Sequence, residues 1–195
     1  KVREVIRLRY EFLPYLSALA LEAHERGHPI LRPLVYYHQD DDNVHMINDE
    51  FYVGPYLLYA PQLGKESRRL VYLPGGKWLD YWDDAEYEGP TWIEARNELP
   101  IYLRYGSVIP LNRNGTIDLV IYGDGGNIKL RDGTLIMVSN DRITLNKPMR
   151  LGSIEVRGEA VIRAQSENSE LKVEVRGRRS LVIINNEVNE ITLSS

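Results

Sequence analysis

Apolar residues recur at three- and four-residue steps over the first stretch of the chain: Val2, Val5, Ile6, Phe12, Leu13, Leu16, Leu19, Ala20 and Ala23. That spacing puts them on one face of an α-helix, so residues 2–25 are expected to form an amphipathic helix. Pro14 lacks an N–H and should kink this helix or split its first half from its second. Gly27 and Pro29 are the stop signals: glycine takes the left-handed cap conformation, and proline cannot continue the helix. Lys1 opens the chain already inside the periodic pattern, with no Ser, Thr, Asp or Asn cap before it. The chain is therefore expected to be a piece of something longer, or a subunit that begins mid-element.

After Gly27 the period changes. Short runs rich in β-branched and aromatic residues alternate with turn signals. A first set covers 30–37, 57–60, 69–73, 78–82, 92–95, 101–105 and 108–111. A second covers 117–122, 127–130, 134–138, 142–145, 153–156, 160–164, 171–175, 181–184 and 190–193. Pro74-Gly75-Gly76, the stretches 112–115 and 123–126, Gly177 and Asn185-Asn186 read as turns between them. Many short strands with regular punctuation predict β-sandwich architecture, not βαβ units. Composition shifts near residue 112: of 13 tyrosines only Tyr122 lies beyond it, and no Trp or Phe does. The fold class is thus mainly β: an N-terminal helix (1–28), an aromatic-rich sandwich (29–111) and an aliphatic one (112–195).

Composition narrows the function classes. The chain of 195 residues has 43% apolar and 27% charged residues, which is globular and not disordered. A net charge of −4 without a basic stripe argues against nucleic acid as a partner. There is no cysteine, which excludes a disulfide scaffold, a thiolate zinc site and a cysteine nucleophile. No apolar run reaches the ~20 residues of a membrane helix and no charged-then-apolar signal segment opens the chain, so no membrane partner is read. Lack of cysteine names no compartment, although the reading leans towards the cytoplasm.

Several clusters invite a chemical reading. His24-Glu25-Arg26-Gly27-His28 fits the H-E-x-x-H zinc signature, with Glu50 downstream as a third ligand. The chemistry needs both histidines on one face of a continuing helix, and Gly27 and Pro29 should end the helix first; a polar helix end is the plainer reading. Asp40-Asp41-Asp42-Asn43 lacks the alternate spacing and central glycine of a calcium loop and reads as a solvated connection. Trp78, Tyr81 and Trp82 could stack on a sugar ring, but aromatics at strand spacing usually fill a core. Arg176, Arg178 and Arg179 around Gly177 suit an exposed hairpin turn, and Asn114-Gly115 a tight one. No nucleophile elbow, phosphate loop or dinucleotide fingerprint is present. A glycosidase needs two carboxylates facing across a cleft, and no spacing pairs any of the 28 acidic residues that way.

The order of motifs is more specific than any one of them. Leu8-Arg9-Tyr10, Leu13-Pro14-Tyr15, Glu22-Ala23-His24-Glu25 and Gly27, then Pro29 and Arg32-Pro33-Leu34, open the series. Asp49-Glu50-Phe51, Val53-Gly54, Leu57-Leu58, Ala60-Pro61, Tyr72-Leu73-Pro74-Gly75-Gly76, Trp78 and Asp80-Tyr81-Trp82 follow. Leu99-Pro100-Ile101-Tyr102-Leu103-Arg104 and Gly106-Ser107-Val108-Ile109-Pro110 close it. Residues 3–111 thereby resemble the last barrel helix, exit strand and proximal β-domain of glycoside hydrolase family 31, the α-glucosidase family, with wording most similar to archaeal members. Asp83-Asp84 departs from the family, which often has Thr-Gly there. Residues 112–195 carry no matched motif; their position fits the family's distal β-domain.

The resemblance implies a (β/α)8 barrel preceding two C-terminal β-sandwiches, and a retaining double displacement by an aspartate nucleophile and an aspartate acid/base. In the family those aspartates and the sugar-binding Arg and His lie upstream of the helix at which this chain begins. No catalytic, substrate-binding or metal residue is therefore assigned in this chain, and no cofactor. The expected role is the C-terminal part or subunit of an α-glucosidase acting on terminal α-linked glucose of maltose-type oligosaccharides, inactive alone. Its expected partner is the N-terminal catalytic barrel, through which substrate is met; a homo-oligomer is compatible. The helix stripe should pack on the barrel, and the first sandwich should hold the helix. The alternative is a non-catalytic carbohydrate-binding module with Trp78 or Trp82 exposed; a zinc peptidase is a third reading.

Overall fold

The computed structural model describes residues 2–62, 69–139, 142–158, 163–166, 169–170, 172–176, 179–184 and 187–194. The chain divides into two compact units, one made of 29–105 and the other of 1–28 with 106–195.

In the first unit, six antiparallel strands form one sheet in the order β1-β2-β3-β6-β4-β5. They are β1 (Leu31–Pro33), β2 (Phe51–Val53), β3 (Leu57–Tyr59), β4 (Leu70–Asp80), β5 (Glu86–Glu94) and β6 (Ile101–Arg104). The expected strand over 30–37 is only half extended, because Leu34–Tyr36 winds into a 3-10 turn. A second 3-10 turn, Asp42–Met46, carries Val44 inward. Leu34 and Val44 pack with Tyr52, Leu58, Val71, Leu73, Trp78 and Tyr102 into the core. Each such apolar side chain withdrawn from water contributes about 1.5–3 kcal/mol.

The runs 69–73 and 78–82 were expected as separate strands, with Pro74-Gly75-Gly76 as a turn. Those three residues instead lie inside β4 as a bulge: the register slips between Leu73 and Gly76 while β5 runs alongside. Gly89 of β5 lies so close that a Cβ on it would overlap the Pro74 carbonyl. Glycine chemistry here permits two backbones to approach, not a reversal of the chain.

In the second unit, α1 (Val2–Glu11) and α2 (Leu13–Arg26) replace the single helix. The break is at Phe12, and Pro14 sits in the first turn of α2, where a missing N–H costs nothing. Gly27 closes α2 at φ 75°, its N–H donating to the Ala23 carbonyl. Phe12, Tyr15, Ala18 and Leu19 are buried. α2 packs on β7 (Ser107–Arg113) and β9 (Gly125–Lys129); most of β7 lies within the stretch 29–111 that was expected to hold the helix. β7 also crosses the expected division at 111/112; the units part at 105/106.

The remaining strands are β8 (Thr116–Tyr122), β10 (Leu135–Ser139), β11 (Arg142–Arg157), β12 (Arg163–Ser166), β13 (Ser169–Glu170), β14 (Lys172–Arg176), β15 (Arg179–Ile183) and β16 (Glu187–Ser194). β11 joins both halves of this sheet. Its first part pairs with β10 and β16, its last part with β15 and, in parallel, with β8. Burial alternates at its start and becomes continuous from Leu151 to Arg157, the change expected where a strand goes from one covered face to two. The sequence pattern, read locally, gave two strands, 142–145 and 153–156, for what is one.

Candidate functional site

In the first unit the chemistry collects where the segment 38–50 meets β4. The β4–β6 ladder covers Trp78–Asp80, and at Tyr72 a side chain takes the place of a strand. Both carboxylate oxygens of Glu50 accept from the Tyr72 N–H at 3.1 Å. Arg69 holds the neighbouring residue, donating to the Asp49 carboxylate at 2.5 Å and the Asp49 carbonyl at 3.0 Å, with Glu50 at 3.5 Å. Burial lifts the Glu50 pKa to about 7 against the opposing pull of the Tyr72 N–H and Arg69. Glu50 is therefore a backbone partner and not a metal ligand.

The acidic run is likewise built into the fold. Asp41 accepts from the Asn43 N–H at 3.1 Å and so caps the 3-10 turn. Its other oxygen accepts from the Tyr72 hydroxyl at 2.6 Å, and Asn43 Nδ2 donates to the same hydroxyl oxygen at 3.2 Å. The Tyr72 hydrogen bond holds the Asp41 carboxyl below its usual range, and burial together with that anion pushes the Tyr72 phenol up to about 12. Nearby, His38 Nε2 lies 2.7 Å from the Tyr52 hydroxyl, and desolvation lowers the His38 pKa.

The tryptophans separate into different roles. Trp78 is fully buried, donating to the Pro74 carbonyl at 2.7 Å and packing against Tyr52. Trp82 lies in the turn after β4, held by its Nε1–H on the Leu99 carbonyl (2.6 Å) and its N–H on Asp80 (2.8 Å), with Tyr81 edge-on. Trp92 is 52% exposed on β5, opposite Tyr72. Since the Tyr72 N–H turns away from β5 to Glu50, Tyr72 and Trp92 form a non-hydrogen-bonded pair, the type in which side chains lie closest. Their rings are 5.0 Å apart. The sequence pattern places Trp92 in a strand without singling it out; exposed and half-buried residues alternate along β5 because one face of the strand is open to water.

In the second unit, His24 and Glu25 are exposed and Glu25 pairs with Lys129 at 2.5 Å. Gly27 ends the helix before His28, so the two histidines do not share a helix face. Among the described residues no group of three or more His, Asp or Glu side chains is arranged to hold a metal. Asn114 and Gly115 both have positive φ, 53° and 83°, and turn β7 tightly into β8. Arg176 pairs with Arg179 at the end of the β14–β15 ladder; Gly177 and Arg178 lie outside the described residues. Glu155 is buried between Arg113 and Arg157, each at 2.9 Å, an arrangement that satisfies a carboxylate inside the sheet.

The helices end this inventory. None of the residues of α1 is buried, and Val2, Val5, Ile6 and Tyr10 are exposed although they form its apolar stripe.

Comparison with known proteins agrees with this anatomy. Residues 27–109 match the glycosyl hydrolase family 31 C-terminal domain. The chain is 45% identical over 159 residues to an α-glucosidase of Saccharolobus solfataricus, a match covering 82% of this chain and 22% of that protein. It is 44% identical to α-glucosidase 2 of Bacillus thermoamyloliquefaciens over 56% of this chain and 14% of that one. In fold, 97% of it superposes on 32% of a family 31 dextranase from Flavobacterium johnsoniae, with a TM-score of 0.75 at 22% identity. The chain thus spans under a quarter of the α-glucosidases it resembles. Residues 27–109 are therefore a C-terminal domain of glycoside hydrolase family 31.

Proposed function

We propose that this chain is the C-terminal part of an α-glucosidase that releases terminal α-linked glucose from maltose-type oligosaccharides with retention. The catalytic aspartates belong to a barrel outside these 195 residues, and the chain supplies structural support to it. The observation that carries this reading is the 45% identity to an α-glucosidase over 82% of the chain but 22% of the relative. The open stripe Val2, Val5, Ile6 and Tyr10 supports it, as a face for the barrel to cover. Retention needs two carboxylates about 5–5.5 Å apart across a cleft. Buried acids of this chain have other partners: Glu50 serves a backbone N–H, Glu155 two arginines, and Asp118, on β8, the Ser153 N–H.

The test is turnover of nitrophenyl α-glucoside. The purified chain is expected to release no nitrophenol, and mixing it with the barrel polypeptide is expected to yield activity. Hydrolysis by the chain alone overturns the reading. Val5→Glu and Ile6→Glu should weaken association with the barrel by at least about tenfold, since each burial is worth ~1.5–3 kcal/mol.

A further inference from the structure

Trp92 lies against Tyr72 yet keeps half of its surface open to water. Across the ladder, Leu70 is also exposed, and the outward residues of β5 are Glu86, Glu88, Pro90, Trp92 and Glu94, all exposed. The indole sits 5.0 Å from the ring of Tyr72, whose hydroxyl is held by Asp41 and Asn43, so a single tyrosine ring separates an open indole from a fixed carboxylate and an exposed amide. Among the described residues the Trp92 Nε1–H has no acceptor, unlike those of Trp78 and Trp82.

We propose that this face of the six-stranded sheet, built on Trp92, Leu70, Asp41 and Asn43, is a binding site for a neutral pyranose oligosaccharide. A pyranose has an apolar C–H face and a rim of hydroxyls. The indole offers the apolar platform and an N–H donor, and the Asp41 carboxylate and the Asn43 amide oxygen offer acceptors for the rim hydroxyls. The surrounding charge decides the ligand class. Lys77 stands opposite Glu88 further along the ladder, but next to the indole the charges are Asp41 and Glu94, the latter two residues along β5 on the same face, so the site disfavours phosphates and other anions. A protein partner is disfavoured for a related reason: interface centres are depleted in Glu and Asp, and this strand face carries them at regular intervals. Asp41 is pinned by three hydrogen bonds, so its carboxylate loses little side-chain freedom when a hydroxyl binds. An α-glucoside is the ligand expected from the proposed function; the stacking chemistry by itself does not depend on that reading.

The experiment follows tryptophan fluorescence of the full 195-residue chain with maltotriose, and in a parallel arm cellotriose, while acrylamide quenches exposed indoles. A sugar seated on Trp92 is expected to reduce quenching saturably, and Trp92→Phe to abolish that protection without lowering the melting temperature. Asp41→Asn should weaken binding about tenfold or more. Saturation by either sugar that depends on Trp92 supports the site; a preference for maltotriose bears on the α-glucosidase reading separately. No saturable protection by either sugar, or equal protection in the Trp92→Phe chain, overturns the proposal. Should Trp92→Phe melt early, saturation transfer from indole protons to sugar protons in the unaltered chain gives the same decision.

Discussion

Trp78 and Trp92 carry the same side chain to opposite ends of the energetic scale. Trp78 fills the centre of the first core and loses no hydrogen bond in doing so, because Pro74 offers its carbonyl. Trp78→Ala is expected to destabilise by about 3–5 kcal/mol, read as a fall in the urea midpoint. Trp92→Ala at an open face should change that midpoint by less than about 1 kcal/mol. Glu50 gives a pH signature. Its native pKa of about 7 lies above the ordinary 4.5, so the folded state keeps a proton that the unfolded state has released between those values. Stability from this group is present below pH 4.5 and is lost as pH rises to 7, by up to ~3 kcal/mol. His38 works in the opposite sense, since its depressed pKa costs stability on acidification. The comparison with Glu50→Gln isolates the carboxylate: between pH 4.5 and 7 the unaltered chain should lose stability relative to the variant, as measured by urea unfolding at each pH. A difference that stays flat would show that folding leaves the Glu50 pKa unshifted.

Elements follow the sequence where the signal is local. Gly27 ends α2 in the left-handed conformation with open space around it, so Gly27→Ala should cost about 1 kcal/mol from backbone strain alone. A shift in the thermal midpoint checks this. Gly89→Ala is a different case: it has no positive φ, yet its added methyl would meet the Pro74 carbonyl across the ladder. That substitution should cost at least about 3 kcal/mol or prevent β4–β5 pairing, visible as loss of β signal in circular dichroism. The two glycines look alike in a sequence. One answers to its own dihedral angle, which neighbouring residues reveal. The other answers to a strand paired with it in space. The same distinction explains β4 and β11, each read as two runs. Pro74-Gly75-Gly76 and the stretch around Gly152 have turn composition, but bulging within a ladder and bridging two sets of partners are decided by the strands alongside.

At the scale of the molecule, the two compact units each close a core of their own, and the helices join the second through Phe12, Tyr15, Ala18 and Leu19. The stripe on α1 remains open, and under the proposed function it is the face that the barrel covers. Motif order showed the family and the lack of a matched catalytic motif. It could not show Trp92 as an exposed platform, because exposure of a strand residue depends on which edge of which sheet the strand occupies.

Local patterning alone determined the helical period, the proline break, the glycine stop, the tight Asn114-Gly115 turn and the predominance of β-structure, since each depends on residues a few positions apart. Tertiary structure decided which strands merge, that α2 rests on β7 and β9, that Glu50 stands in for a strand at Tyr72, and that Trp78 is inside while Trp92 faces water. Those outcomes turn on pairings between residues distant along the chain, where burial and hydrogen-bond satisfaction outweigh local preference.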